Sequence, residues 1–246
     1  QTIRPFGPKK SRFCIFEYIY FSRPDSIVEG MSVYNTRKKI GEQLATETHI
    51  DADVVIPVPD SGVPAAMGYA KKAKIPYELG ITRNHYIGRT FIEPGDHIRH
   101  LGVKLKHNAN KSLVKDKRII LVDDSIVRGT TSTKIVEMIR AAGAKEVHMR
   151  IASPPTTFSC FYGVDTPEKE KLLASKYTIC EMEKLINIDS LDFISIDGLY
   201  RAMGKLNRNN EIPQYCDACF TGDYPIVLTD QIGGETNKQL SLLAEK

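Results

Sequence analysis

With 246 residues, 41% apolar and 26% charged, the chain has the makings of one sizeable globular core and no low-complexity tract. A net charge of +4 is mild for this length and gives little support to general nucleic-acid binding. No run approaches roughly 18 consecutive apolar residues, and "QTIRPFGPKK" lacks the apolar core of a signal peptide, so a cytoplasmic protein with no membrane or nucleic-acid partner is expected.

The elements alternate between strand-like and helix-like. "FCIFEYIYF" at 13–21 is rich in aromatic and β-branched residues and predicts a strand. After Ser32, a good N-cap, Val33, Arg37, Ile40, Leu44 and Thr48 recur at helical spacing, with Ile40, Leu44 and Ala45 as the apolar stripe. "DVVIPVP" at 53–59 predicts a short buried strand halted by prolines, and "GVPAAMGYAKKA" at 62–73 a helix led by Pro64. Residues 82–117 show little apolar periodicity but many glycines and charges, including Arg83, Arg89, Arg99, Lys104 and Lys106. A loop of that length in a compact domain is usually functional, and it is read as a lid.

"IILV" at 119–122 predicts another strand. Residues 131–142 form a helix with Ile135, Met138 and Ile139 on one side, stopped at Gly143. "EVHMRIAS" at 146–153 alternates as a further strand. Past Pro154 and Pro155 come two or three shorter helices and a strand at "DFISI", 192–196. The order implies an α/β fold with a mainly parallel sheet flanked by helices, whose ligands sit at the carboxyl ends of the strands.

Asp123 and Asp124 fall at such an end, followed by "SIVRGTTS". Consecutive backbone N–H groups and the hydroxyls of Ser125, Thr130 and Thr131, opening a helix, make a phosphate cradle. Two carboxylates upstream would repel a bare phosphate, so the ligand should also offer hydroxyls or a divalent cation. A sugar phosphate does both. Solvated turn residues, the pocket of a phospho-acceptor receiver domain and the Mg²⁺ carboxylates of another phosphotransfer fold are the competing readings of the pair. A receiver domain has no need of the glycine and hydroxyls that follow, and the P-loop pattern is absent.

Five scattered cysteines, Cys14, Cys160, Cys180, Cys216 and Cys219, argue against a disulfide framework. Cys216 and Cys219 form a C-x-x-C, a metal or redox signal, but spacing does not choose further ligands among the other three.

Strand, Asp-Asp-Ser, a variable pair and Arg-Gly-Thr-Thr together resemble the phosphoribosyl pyrophosphate (PRPP) motif of type I phosphoribosyltransferases. "CIFEYIYFSRPDS" at 14–26, "VVIPVPDSG" at 54–62, "HYIGRTFIEPG" at 85–95, "LVDDSIVRGTTS", "SPP" with Cys160 after it, and "CDACFTGDYP" follow the order of the glutamine PRPP amidotransferase family. The resemblance runs from about Cys14 to Pro225 and implies the type I phosphoribosyltransferase fold with a C-terminal helical and metal-binding extension.

By that resemblance, Gln1 to Arg12 are a connector from an N-terminal glutaminase domain, residues 13–230 the phosphoribosyltransferase domain with its extension, and 231–246 a tail. The implied reaction moves ammonia, from glutamine in the full-length enzyme, to C1 of PRPP. It gives 5-phosphoribosylamine and pyrophosphate, the first step of de novo purine synthesis. This chain alone would use free ammonia and not glutamine. Asp123 and Asp124 would meet the ribose hydroxyls and Mg²⁺, and Ser125, Ile126, Val127, Arg128, Gly129, Thr130 and Thr131 the 5′-phosphate. Asp60, Ser61 and Gly62 would underlie the pyrophosphate, with Ser61 helping to place the metal. A lid closing Arg83, Tyr86 and Arg89 inward would exclude water. Cys14, Cys160, Cys216 and Cys219 match the ligands of a [4Fe–4S] cluster in the iron-sulfur subgroup, although four thiolates also suit zinc. Purine nucleotides as feedback inhibitors and a homo-oligomeric assembly are further expectations.

Two other functions compete. A salvage phosphoribosyltransferase has no evident need for four separated metal cysteines. A PRPP- or nucleotide-sensing regulator would need a DNA-binding module, and no basic helix-turn-helix is visible.

Overall fold

A computed structural model describes residues 10–84, 86, 107–164 and 166–226. In chain order the strands are β1 (Phe13–Cys14), β2 (Ile27–Val28), β3 (Met31–Ser32), β4 (Val54–Pro57), β5 (Ile81–Arg83), β6 (His107–Ala109), β7 (Arg118–Asp123), β8 (Glu146–Ile151), β9 (Ser190–Phe193) and β10 (Tyr215–Cys216). The central sheet runs β4-β7-β8-β9, all parallel, with Val54 opposite Ile119, Asp123 opposite Ile151, and Ile151 opposite Phe193.

Successive side chains of a strand point to opposite faces, so the apolar runs of β4 and β7 feed two cores. Val55, Ile120 and Val122 meet the helices Val33–Glu47, Val63–Ala73 and Ile196–Ala202. Val54, Ile56, Ile119 and Leu121 meet the helices Thr130–Ala141 and Ile179–Ile186 on the other face. The first two helices touch backbone to backbone: a Cβ on Gly41 would lie 1.8 Å from the Ala65 carbonyl oxygen, and one on Gly68 1.9 Å from that of Lys38.

The predicted helices at 33–48, 62–73 and 131–142 are all present, the first capped by the Ser32 hydroxyl accepting from the Asn35 N–H at 3.4 Å. The single strand expected over 13–21 is not. It ends at Cys14, and Glu17–Phe21 form a turn of π-type helix. Ile15, Tyr18 and Ile19 are buried while Tyr20 and Phe21 are exposed, a helical rather than an alternating pattern.

The irregular segment expected at 82–117 begins and ends in order: β5 pairs antiparallel with β6, and a short helix, Lys111–Val114, follows. Its middle lies outside the described residues, as do residues 1–9 and 227–246. In β8, the alternating polar residues do not face water. Arg150 is 2% exposed, donating to the carbonyl oxygens of Thr48 and Met149 and pairing with Asp192 at 3.2 Å, and His148 is buried against Ser190. The strand expected at 192–196 is shifted to Ser190–Phe193, because Ser195 turns to cap the next helix through the Gly198 N–H. Among the described residues, no helix is long and apolar enough to cross a membrane.

Candidate functional site

β4 and β7 are neighbours, so the loops leaving their carboxyl ends meet. Gly62 packs against the last turn of β7: a Cβ there would come within 2.4 Å of the Val122 carbonyl oxygen and 3.3 Å of Asp123 Cα. Only glycine allows that approach, which sets the 60–62 loop beside the acid pair. The Pro59–Asp60 peptide is cis. Ser61 and Asp124 line one small cleft with Arg37, Ile19, Ile40, Ala65 and Ala152.

Asp123 and Asp124 are 6% and 7% exposed. The Asp124 N–H donates to Asp123 Oδ1 at 2.9 Å, and the Ser125 hydroxyl to Asp124 Oδ2 at 2.6 Å. Burial, then the neighbouring Asp124 carboxylate, push Asp123 well above the ordinary carboxylate range. Two close, buried carboxylates are a strained charge arrangement that a divalent cation or a hydroxyl-bearing ligand would relieve.

Ser125 to Gly129 then turn into the helix Thr130–Ala141. Gly129 has φ +77°, and no side chain caps that helix. Its first-turn N–H groups and the exposed hydroxyls of Thr130 and Thr131 are thus open to an anion. Leu173 braces the loop, donating its N–H to the Val127 carbonyl at 2.8 Å.

Arg83, at the end of β5, pairs with the Asp60 carboxylate. Tyr86 is fully exposed and is not brought to the cleft; Arg89 lies outside the described residues. Sequence reasoning missed Arg37, which is 5% exposed and held by the carbonyl oxygens of Tyr18 and Ser22 at 2.9 and 2.8 Å. Burial lowers its affinity for the proton, while Asp124 and then Glu17 oppose that. The available signal was a cation inside the otherwise apolar stripe Val33, Ile40, Leu44.

Four of the five cysteines lie on neighbouring segments. β1 pairs in parallel with β10, setting Cys14 opposite Cys216. Cys219 lies in the helix Ala218–Thr221, and its carbonyl accepts the N–H groups of Thr157 and Phe158 at 3.0 and 3.1 Å, bringing in the segment that carries Cys160. Burial, then the charges of Cys14, Cys216 and Cys160, push the Cys219 thiol far up. Burial pushes the Cys14 thiol up to about 11, against hydrogen bonds from the backbone of Phe16 and Glu17. Backbone donors also reach Cys216 from Ala218 and Cys160 from Tyr162, the latter at 3.4 Å. Cys180 is exposed on the helix Ile179–Ile186. Among the described residues, no three His, Cys, Asp or Glu side chains converge tightly enough for a single metal ion.

Between the C-x-x-C cysteines, Asp217 is wholly buried and accepts hydrogen bonds from Tyr200, Arg208 and Thr221. Sequence reasoning did not single out this network.

A family model described as a phosphoribosyl transferase domain matches residues 26–153. The chain is 59% identical over 242 residues to the amidophosphoribosyltransferase of Rhizobium etli, covering 98% of this chain and 49% of that protein. It is 49% identical over 227 residues to the amidophosphoribosyltransferase of Bacillus subtilis, covering 89% and 48%. Among solved structures, it resembles the glutamine PRPP amidotransferase of B. subtilis complexed with ADP and GMP, with a TM-score of 0.81, 48% identity, and coverage of 89% of this chain and 48% of that one. The chain spans about half the length of the curated relatives it matches.

Proposed function

From the premise that the chain belongs to the phosphoribosyltransferase family, we propose that it carries the phosphoribosyl-transferring activity of an amidophosphoribosyltransferase. Ammonia attacks C1 of PRPP, the C1–N bond forms as the C1–O bond to pyrophosphate breaks, and 5-phosphoribosylamine is released. The observation that carries this reading is the meeting of the 60–62 loop with the acid pair and its phosphate cradle at the carboxyl edge of β4 and β7.

Each part of the ligand has a matching element. The N–H groups and hydroxyls of residues 125–131 would hold the 5′-phosphate. Asp123 and Asp124 would accept from the ribose hydroxyls, and Arg83, beside Asp60, is the cation that would face pyrophosphate. Charge grows on the departing oxygens as the bond breaks, so groups fixed in advance around them favour the transition state over the bound substrate. Bound Mg²⁺, held by Asp123, Asp124 and Ser61, would supply further positive charge for the leaving group. Ammonia needs little general-base help, which leaves positioning as the larger task.

Cys14, Cys160, Cys216 and Cys219 would hold a four-thiolate group. The reading of that group as a [4Fe–4S] cluster rests on the match of these four cysteines to the iron-sulfur subgroup, and on the β1–β10 pairing that sets Cys14 opposite Cys216. In the full-length protein a glutaminase domain would supply the ammonia, and purine nucleotides would compete at the phosphate cradle, in line with the ADP and GMP of the B. subtilis structure. A cytoplasmic setting and a homo-oligomer complete the reading.

The test is ammonia-dependent pyrophosphate release from PRPP and Mg²⁺, compared with Asp123→Asn and Asp124→Asn. Losses of about 10²-fold or more are expected; unchanged rates in both variants would remove the site.

A further inference from the structure

We propose that Asp217, Arg208 and Tyr200 are positioning residues that fix the C-x-x-C loop in its thiol-cage conformation before any cofactor is bound. The inference rests on the four-thiolate reading of Cys14, Cys160, Cys216 and Cys219.

Asp217 is a carboxylate with no exposed surface, placed between two of the four thiols. Further negative charge beside four thiolates opposes their ionisation, so its presence needs a reason other than electrostatic support. Its bonding supplies one. Oδ2 accepts from the Tyr200 hydroxyl at 2.8 Å and Arg208 Nε at 2.6 Å, and Oδ1 from Arg208 Nη2 at 3.1 Å and Thr221 Oγ1 at 3.0 Å. Both oxygens are saturated, which rules Asp217 out as a ligand of the group it adjoins. Its own carbonyl accepts from the N–H groups of Phe220 and Thr221 at 2.9 and 3.1 Å, so main chain and side chain are fixed together.

The partners are themselves anchored. Tyr200 is fully buried in the helix Ile196–Ala202, edge-on to Tyr215 at 5.7 Å. Arg208 donates its N–H to Asp197 at 3.0 Å and its Nη2 to Asp223 at 2.7 Å, and Asp223 in turn pairs with Arg12 at 3.3 Å. Arg12 directly precedes β1, so the network grips both strands that present Cys14 and Cys216. A buried ion pair is a poor device for stability, because well-packed apolar side chains usually serve as well. Its directional bonds instead select one loop geometry, as outer-shell partners of metal ligands do.

The experiment loads the full chain anaerobically with ferrous iron and sulfide and then follows iron loss to a chelator, with visible absorption and the thermal midpoint of the unloaded protein as parallel readouts. Asp217→Asn, Arg208→Met and Tyr200→Phe should lose iron about tenfold faster or more, with Arg208→Lys recovering part of the loss. Ile139→Val, which weakens the core on the opposite face of the sheet, should retain iron like the wild type. Should Asp217→Asn or Arg208→Met fail to fold, Tyr200→Phe, which removes one hydroxyl and keeps the ring, decides the matter.

Folded variants that hold iron as long as the wild type would overturn the positioning role, as would an equal loss in Ile139→Val. A folded wild-type chain that takes up no iron would instead sink the four-thiolate reading, and this inference with it.

Discussion

Gly62 is pressed against Asp123: where a side chain would begin, the Val122 carbonyl oxygen is 2.4 Å away and that of Val58 2.8 Å away. Both obstacles are backbone and cannot swing aside. Gly62→Ala should cost about 1–3 kcal/mol of stability by overpacking. The 60–62 loop would move away from the acid pair, and a displacement of about 1 Å at a reacting centre can lower turnover about 10²-fold. Chemical unfolding paired with pyrophosphate release checks both, and a fully active variant would contradict the close approach.

Arg83 and Asp60 tie the β5–β6 ribbon to the loop after β4. Replacing Arg83 with Ala should raise the KM for PRPP roughly tenfold or more, the scale of a lost hydrogen bond to a charged group. Arg83→Lys should recover only part, because its point charge lacks the planar fork. Initial-rate kinetics over a PRPP series would show it; an unchanged KM would detach Arg83 from the substrate.

Glu47 predicts an acid-side instability. Burial raises its carboxyl, but hydrogen bonds from the Ser195 N–H, Gln43 and Arg201 outweigh that and hold it below its ordinary 4.5. A lowered carboxyl stabilises the fold above the unfolded-state pKa and loses that contribution as pH falls through the folded-state value. Wild type should therefore weaken as pH drops below about 4.5, and Glu47→Gln should show a shallower decline. Urea unfolding across that range decides it, and parallel acid curves would clear Glu47 of the effect.

If the proposed four-thiolate group is right, Cys219→Ser should abolish iron binding and visible colour while Cys180→Ser leaves both intact, because Cys219 is one of its four ligands and Cys180 is exposed on the helix Ile179–Ile186. Iron and acid-labile sulfide assays separate the two. Colour retained in Cys219→Ser would contradict the ligand set.

The acid pair was legible because a wholly apolar run stops at Asp123, and the helices were legible because Ser32 caps the first and apolar stripes mark their buried sides. Residues 13–21 misled because aromatic composition suggests a strand, whereas the contacts of Tyr18, whose carbonyl accepts from Arg37 and whose ring meets Tyr215 edge-on, come only with tertiary structure. Arg150 and His148 look water-facing in an alternating strand, since nothing local reveals Thr48, 102 positions away, as the acceptor for Arg150. Asp217 and Arg208 were hidden for another reason: a pair of opposite charges nine positions apart carries no signal until a loop brings them together.

The pairing of β1 with β10 has a consequence for how the protein is made. Cys14 leaves the ribosome about two hundred residues before its neighbours Cys216 and Cys219. By then the whole β4-β7-β8-β9 sheet has been synthesised, and domains begin to fold as they appear. The strand pair that sets Cys14 beside Cys216 therefore closes onto a scaffold already standing, as a finishing step of folding and not its nucleus.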